Sequence, residues 1–166
     1  MTTPPPGDRL THVDDQGAAR MVDVSGKATT ARTAVATGRV RVSPTVVELL
    51  RGEGVPKGDA LAVARIAGIM GAKKTPELVP LCHPIAVSGV KVDLTVVDDA
   101  VEITATVKTA DRTGVEMEAL TAVAVAGLTV IDMVKAVDKG ATIESVRVLS
   151  KTGGKSGDWF APEAGA

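Results

Sequence analysis

The chain has 166 residues and a formal net charge of −1, which suits one domain with its own core and gives no basic surface for DNA or RNA. Trp159 and Phe160 are its only aromatic residues, so it lacks the stacking platform of proteins that bind single-stranded nucleic acid. Cys82 is the single cysteine, which excludes an intrachain disulfide and agrees with the reducing environment of the cytoplasm.

The two ends of the chain differ from its centre. Residues 1–15 are rich in proline and threonine and are predicted to be a disordered tail. Residues 21–27 read Met-Val-Asp-Val-Ser-Gly-Lys, and two interpretations stay open: a loop that becomes ordered on a ligand, and an ordinary connecting arm. A single α+β domain is predicted over 16–160, followed by a short tail over 161–166.

The centre of the chain alternates between strand and helix patterns. These patterns predict a strand over 35–42, a short helix over 43–50, a helix over 60–72, strands over 87–97 and 101–109, a long helix over 114–137 and a last strand over about 143–150. This order predicts an α+β fold of the ferredoxin-like, split βαβ type, with an antiparallel four-stranded sheet and helices packed on one face. Because alanine and valine supply most of the 45% apolar residues, the core should consist of small side chains, and we expect oligomerisation to bury more apolar surface.

The long apolar helix carries Glu116, Glu118, Asp132 and Lys135. Burial of ionised groups on such a helix costs free energy unless they pair with opposite charges or serve a function. They also make the helix a poor membrane span. Asp132 and Lys135 lie three residues apart and share a face, where a carboxylate beside an ammonium can exchange protons near neutral pH. The alternative is a half-exposed ion pair of little effect.

The spacing along this helix constrains any shared site. Glu118 and Asp132 are 14 positions apart, which is about 21 Å in a helix that rises 1.5 Å per residue. They cannot contact the same small reacting centre from one helix. Either only one end of the helix is catalytic, or two copies of the helix contribute to each site. We predict the second arrangement, in which the sites lie at a subunit boundary with Glu118 of one chain near Asp132 and Lys135 of another.

Three loops offer further candidate residues. In the segment Leu81-Cys82-His83-Pro84, three roles are open for His83: it contacts a substrate, binds a metal or forms a hydrogen bond within the loop. No further zinc ligands stand at suitable spacing in the sequence. Cys82 is interpreted as a small residue in the wall of a site. Residues 151–157 read Lys-Thr-Gly-Gly-Lys-Ser-Gly, a basic loop that is either solvated or holds phosphates, although it does not match a Walker A motif. Lys57 precedes the second helix and is a candidate phosphate contact, because helix N-termini attract anions.

Five segments together carry a resemblance to a known family. They read MVDVSGK, KGDALAVARIAGI, LCHPI, GVEMEALTAVAVAGLTVIDMVKAV and KTGGKSGDW, in this order from Met21 to Trp159. The chain resembles the family of cyclic pyranopterin monophosphate synthases, the accessory protein C of molybdenum cofactor (molybdopterin) biosynthesis. The resemblance implies a lyase that converts (8S)-3′,8-cyclo-7,8-dihydroguanosine 5′-triphosphate to cyclic pyranopterin monophosphate and releases diphosphate.

The resemblance also implies roles for particular residues. Those expected to contact or line the substrate are Leu81, Cys82, His83, Glu116, Met117, Glu118, Lys151 and Lys155. Asp132 is expected to be the active-site acid or base, with Lys135 and Lys57 also catalytic. We expect Asp132 and Lys135 to transfer protons, the lysines at 57, 151 and 155 to neutralise the triphosphate, and Glu118 to accept hydrogen bonds from N–H groups of the base-derived ring.

The expected assembly is a homohexamer, a trimer of dimers with its sites at the dimer interface, as the resemblance implies. The reaction involves no redox change, so no cofactor or protein-bound metal is expected, although a divalent cation can accompany the triphosphate. Two rivals remain from the residues alone: a nucleotide-binding oligomer without catalysis, and a structural ferredoxin-like subunit.

Overall fold

A computed structural model describes residues 10–52 and 59–162 of the protein. These residues form five strands and four helices: β1 (Thr30–Arg41), α1 (Pro44–Arg51), α2 (Ala60–Lys73), α3 (Thr75–Leu78), β2 (Val87–Val96), β3 (Ala100–Asp111), α4 (Glu116–Val134), β4 (Thr142–Thr152) and β5 (Trp159–Phe160). The predicted order of strands and helices is reproduced. Much of the predicted N-terminal tail and the end of the C-terminal tail lie outside the described residues, so the domain limits stay a prediction.

The strands form one antiparallel sheet in the order β2-β3-β1-β4-β5. The prediction of an α+β fold with an antiparallel sheet is therefore confirmed, but the prediction of four strands is wrong, because β5 is a fifth. Its two residues pair with Ser150 and Lys151 of β4. A strand of two residues is too short to show the alternation of apolar and polar residues that predicts a strand. The pairing forms because the loop 153–157, which has positive φ at three glycines, turns the chain back onto β4.

The helical layer packs on the sheet through small residues. α4 contacts β1, β3 and β4, while α2 contacts α4 and β2. Gly68 and Gly71 permit the close approach of the two helices: a Cβ at Gly68 would lie 2.9 Å from the carbonyl oxygen of Ala122, and one at Gly71 would lie 2.8 Å from the Cβ of Val125. A side chain at either position would force the helices apart.

The core consists of small aliphatic side chains, as the composition predicts. The largest fully buried residues include Ile103, Val40, Val92 and Val123. α4 is long and apolar enough to cross a membrane by length and composition alone, but 44% of its apolar window is buried within the domain. Since α4 also lies against three strands, it is the central helix of the hydrophobic core.

One end of the sheet brings several loops together. The antiparallel register sets Thr30 at the start of β1 opposite Asp111 at the end of β3, and Thr33 opposite Thr152 at the end of β4. The chain leaves β3 at Asp111 and enters α4 only a few residues later. The start of β1, the ends of β3 and β4 and the N-terminus of α4 therefore surround one region.

Candidate functional site: an anion-binding cleft

A cleft of about 410 Å³ lies at this end of the sheet. Its walls come from the N-terminal arm (residues 10–29), the start of β1, the loop before β2, the start of α4 and the end of β4. The lining residues are His12, Lys27, Arg32, Thr33, Leu81, Cys82, His83, Arg112, Thr113, Gly114, Val115, Glu116, Met117, Glu118, Lys151, Thr152, Gly153 and Ser156.

Seven of the residues predicted from the sequence meet in this cleft. They are Leu81, Cys82, His83, Glu116, Met117, Glu118 and Lys151. Residues 81–83 are held at both ends: the Cys82 N–H donates to the Val79 carbonyl at 3.0 Å, and the Thr109 hydroxyl donates to the Ala86 carbonyl at 2.6 Å. The second bond ties the loop to β3, and residues 81–83 line the cleft together with the start of α4.

Glu116 and Lys151 form an ion pair across the cleft. The Lys151 Nζ lies 3.3 Å from Glu116 Oε1, and both side chains are partly exposed. The pair joins the first turn of α4 to the end of β4. In this position Lys151 can exchange its carboxylate partner for an anionic group of a ligand.

Glu118 is the most unusual ionisable group of the cleft. Only 3% of the residue is exposed. Burial raises the pKa of Glu118 from 4.5 to about 7. A hydrogen bond from its own backbone N–H opposes this increase, and the nearby charge of Glu116 adds to it. The carboxyl group is therefore shared between its protonated and ionised forms near neutral pH. A group with this property in a cleft can donate or accept a proton, or pair with a ligand N–H.

The thiol of Cys82 has a different character. Burial, and secondarily the charge of Glu118, raises its pKa above the ordinary value. The sulfur atom therefore stays protonated at neutral pH and is a poor nucleophile. This agrees with the interpretation of Cys82 as a small wall residue.

The cleft walls are rich in cations, several of which the sequence reasoning missed. Lys27, Arg32, Arg112 and Lys151 line them. Arg32 is fixed by two carbonyl groups at the end of β3: its Nε donates to Asp111 at 3.1 Å and its Nη2 donates to the Arg112 carbonyl at 3.2 Å. A guanidinium held in this way keeps donors for an anion without having to be ordered first.

The basic loop after β4 packs closely on this arginine. Gly153 and Gly154 both have positive φ. A Cβ on Gly153 would overlap the Ala31 carbonyl oxygen, and one on Gly154 would overlap the Arg32 guanidinium. The Gly153 N–H donates to Asp158 at 2.9 Å, which closes the loop. The two glycines thus let the basic loop lie against β1.

The remaining predicted residues lie elsewhere. Asp132 and Lys135 form an ion pair of 2.6 Å at the C-terminal end of α4, with 62% and 59% of their side chains exposed, and they do not line the cleft of their own chain. Lys155 is exposed in the basic loop and is not among the lining residues. Lys57 lies outside the described residues.

Among the residues that the structure describes, no group of three or more histidine, cysteine, aspartate or glutamate side chains could hold a metal ion. His83 therefore has no partner ligands of these types within the described part of the chain to form such a group.

The fold and the cleft define an α+β protein suited to bind an anionic small molecule beside a carboxyl group that titrates near neutral pH. Residues 21–154 match the model of the MoaC family, and the chain belongs to this family. Two curated relatives are both called cyclic pyranopterin monophosphate synthase: one from Streptomyces avermitilis is 81% identical over 94% of this chain and 92% of its own length, and one from Corynebacterium glutamicum is 63% identical over 91% and 97%.

Proposed function

We propose that the protein is a lyase that converts (8S)-3′,8-cyclo-7,8-dihydroguanosine 5′-triphosphate to cyclic pyranopterin monophosphate and diphosphate in molybdenum cofactor biosynthesis. Membership of the MoaC family and the name shared by close relatives support this activity. The observation that carries it in the structure is one cleft that is lined by four lysine and arginine residues and by the buried Glu118. The location would then be cytoplasmic, where a nucleotide substrate is available.

The cations would bind the triphosphate. Lys27, Arg32, Arg112 and Lys151 line the cleft together with the first turn of α4, whose free N–H groups also favour negative charge. Release of diphosphate leaves negative charge on its oxygen atoms, and pre-positioned cations stabilise that charge as it develops. Lys155 is proposed to add to this set from the basic loop after β4, and Lys57 is proposed to do so because the family resemblance implies it. Any divalent cation would enter with the triphosphate, and no resident cofactor is proposed.

The base-derived ring would lie against Glu118, His83 and Met117. Because Glu118 is close to half-ionised near neutral pH, it can accept from a ring N–H in one form and donate in the other. Leu81 and Cys82 complete this apolar side of the cleft. The proton transfers that open and rebuild the rings are assigned to Asp132 and Lys135, each positioned acid or base contributing about 10²–10⁴-fold.

Asp132 and Lys135 must then come from a second chain. Leu128 lies one helical turn before Asp132 and is 59% exposed, and the neighbouring helix α2 exposes Val63, Ile66 and Met70. This apolar surface is unusual for a soluble monomer and favours burial against another copy. We propose a homohexamer, a trimer of dimers, in which a two-fold axis brings the Asp132 end of one α4 to the cleft of its partner.

The ferredoxin-like classification is part of the same proposal. Without β5, the elements follow the order strand, helices, strand, strand, helix, strand, and the sheet runs β2-β3-β1-β4. This order supports the proposal of a split βαβ arrangement. The added β5 then serves to fix the basic loop at the edge of the cleft.

The decisive experiment is incubation of the purified protein with the cyclised substrate and measurement of the pterin product. Asp132→Asn and Lys135→Ala should abolish product formation while the oligomer stays intact. Asp98→Asn is a control, because Asp98 also forms a surface ion pair, with Arg51 at 2.9 Å, and does not line the cleft. Triphosphate binding without conversion in the wild type would instead identify a nucleotide-binding oligomer.

Mixed oligomers test whether the site is shared. Arg32→Ala disables the cleft and Asp132→Asn disables the opposite end of α4, so each variant alone should be inactive. After the two are unfolded and refolded together, random pairing in two-fold dimers should restore up to about a quarter of wild-type activity. No recovery from a correctly assembled mixture would place the whole site within one chain.

A further inference from the structure

The N-terminal arm, residues 10–29, forms a small folded loop before β1. Val13 forms a β-bridge with Ala19, and the Asp14 carboxylate accepts from the Gln16 and Ala18 N–H groups at 2.9 Å each. The Arg20 N–H also donates to the His12 carbonyl at 2.8 Å. These bonds give the arm a shape of its own.

The hydrogen bonds described for the arm join its residues to one another. The Lys27 N–H, for example, donates to the Val24 carbonyl at 3.0 Å. Residues 10–29 nevertheless contribute His12 and Lys27 to the cleft walls. The arm is mostly exposed and lies outside the regular strands and helices, and such segments open at low free-energy cost, so the arm is suited to close over a ligand.

The imidazole of His12 is oriented within the arm. Its Nδ1 lies 3.3 Å from the carbonyl oxygen of Arg20, and because a carbonyl only accepts, Nδ1 is the donor. Nε2 is then the second polar atom of the ring. In the protonated ring Nε2 also donates and can bind an anion in the cleft.

We propose that His12 is a phosphate-binding residue, which the arm carries onto the ligand when it closes the cleft. The ligand class is a polyphosphate, since the other arm residue in the cleft, Lys27, is a cation, and Arg32 and Lys151 face the same space. This inference rests on the proposed function for the identity of the substrate. It adds a contact outside the segments that carry the family resemblance, because His12 precedes Met21.

Binding of inorganic triphosphate tests the inference directly. A hydrogen bond to a charged group contributes roughly 1.5–3 kcal/mol, so His12→Ala should weaken triphosphate binding about tenfold or more. His12→Gln keeps an N–H donor and should recover part of the loss. Thr11→Ala is the matched control, because Thr11 is an exposed arm residue that does not line the cleft.

Turnover and hydrogen exchange separate binding from structure. With the cyclised substrate, His12→Ala should raise KM by a similar factor and change kcat little. Triphosphate should slow amide exchange across residues 10–29 in the wild type, and do so less in His12→Ala. An unchanged dissociation constant in His12→Ala, or a lower kcat at unchanged KM, would overturn the inference. Failure of the wild type to convert the substrate would contradict the proposed function, while the triphosphate result would still decide the role of His12.

Discussion

Replacement of Glu118 by glutamine should remove a pH dependence of stability that the wild-type protein carries between about pH 4.5 and 7. In the folded state burial raises the pKa of Glu118 to about 7 from the ordinary value of 4.5. Within this window the folded state holds more protons at Glu118 than the unfolded state does. The free energy of unfolding therefore falls as pH rises from 4.5 towards 7, and it changes no further from this group above that range.

The size of the effect follows from the two pKa values. Each factor of ten in proton affinity corresponds to about 1.36 kcal/mol, so a pKa raised from 4.5 to about 7 corresponds to about 3 kcal/mol. Water that reaches the carboxyl group from the cleft screens part of this cost, and we expect about 2 kcal/mol. Glutamine has nearly the same shape but no charge, so Glu118→Gln should equal the wild type near pH 4 and exceed its stability by about 2 kcal/mol at pH 8.

Urea unfolding at a series of pH values between 4 and 8 measures the difference, with both proteins at one fixed concentration because assembly contributes to stability. Glu48→Gln serves as a control, since Glu48 is an exposed glutamate on α1 and lies outside the cleft. Its difference from the wild type should stay flat across pH 5.5–8. A flat difference for Glu118→Gln as well would refute the reasoning, because Glu118 would then ionise as it does in the unfolded chain.

Three further substitutions test other parts of the argument. Gly68→Ala should destabilise the fold by about 1–3 kcal/mol in urea unfolding, because the added Cβ would lie 2.9 Å from the Ala122 carbonyl oxygen, although alanine is the better helix former. Gly153→Ala should weaken triphosphate binding more than Gly157→Ala does. Both glycines have positive φ, but only a Cβ at position 153 would contact β1. Equal losses of affinity would show that backbone strain alone is responsible. Lys151→Met should weaken triphosphate binding about tenfold and reduce its dependence on salt concentration, which a titration at several ionic strengths measures.

The elements that the sequence predicted best were those with a clear period. β2 and β3 alternate regularly, with Val101, Ile103, Ala105 and Val107 buried on one face of β3, and their bounds agree with the prediction to within a few residues. α4 was equally evident, because charged residues at its two ends frame a long apolar segment. Such signals are local, so a single sequence contains them in full.

The parts that were missed depend on tertiary pairing. The prediction began β1 at residue 35, whereas the strand begins at Thr30, because Thr-Ala-Arg-Thr-Ala alternates too weakly in hydrophobicity to indicate a strand. That error left Arg32 in an apparent linker. Only the register with β3, which sets Arg32 opposite Thr109, brings it to the cleft. Arg112 was missed for the same reason, since nothing local shows that the end of β3 lies beside the start of β1.

The two chemical centres of α4 impose the last constraint. Glu118 is buried in the cleft, whereas Asp132 is exposed about 21 Å away along the same helix axis, and a helix packed against three strands cannot fold back to join them. If the chemistry took place within one chain, the Asp132–Lys135 pair would be an ordinary exposed ion pair. Its removal would then cost at most about 1 kcal/mol of stability and leave turnover nearly unchanged. If a second chain completes the site, Asp132→Asn removes a proton-transferring group and turnover falls by orders of magnitude at almost unchanged stability. Measurement of both the stability and the turnover of Asp132→Asn therefore distinguishes a site within one chain from a site between two chains.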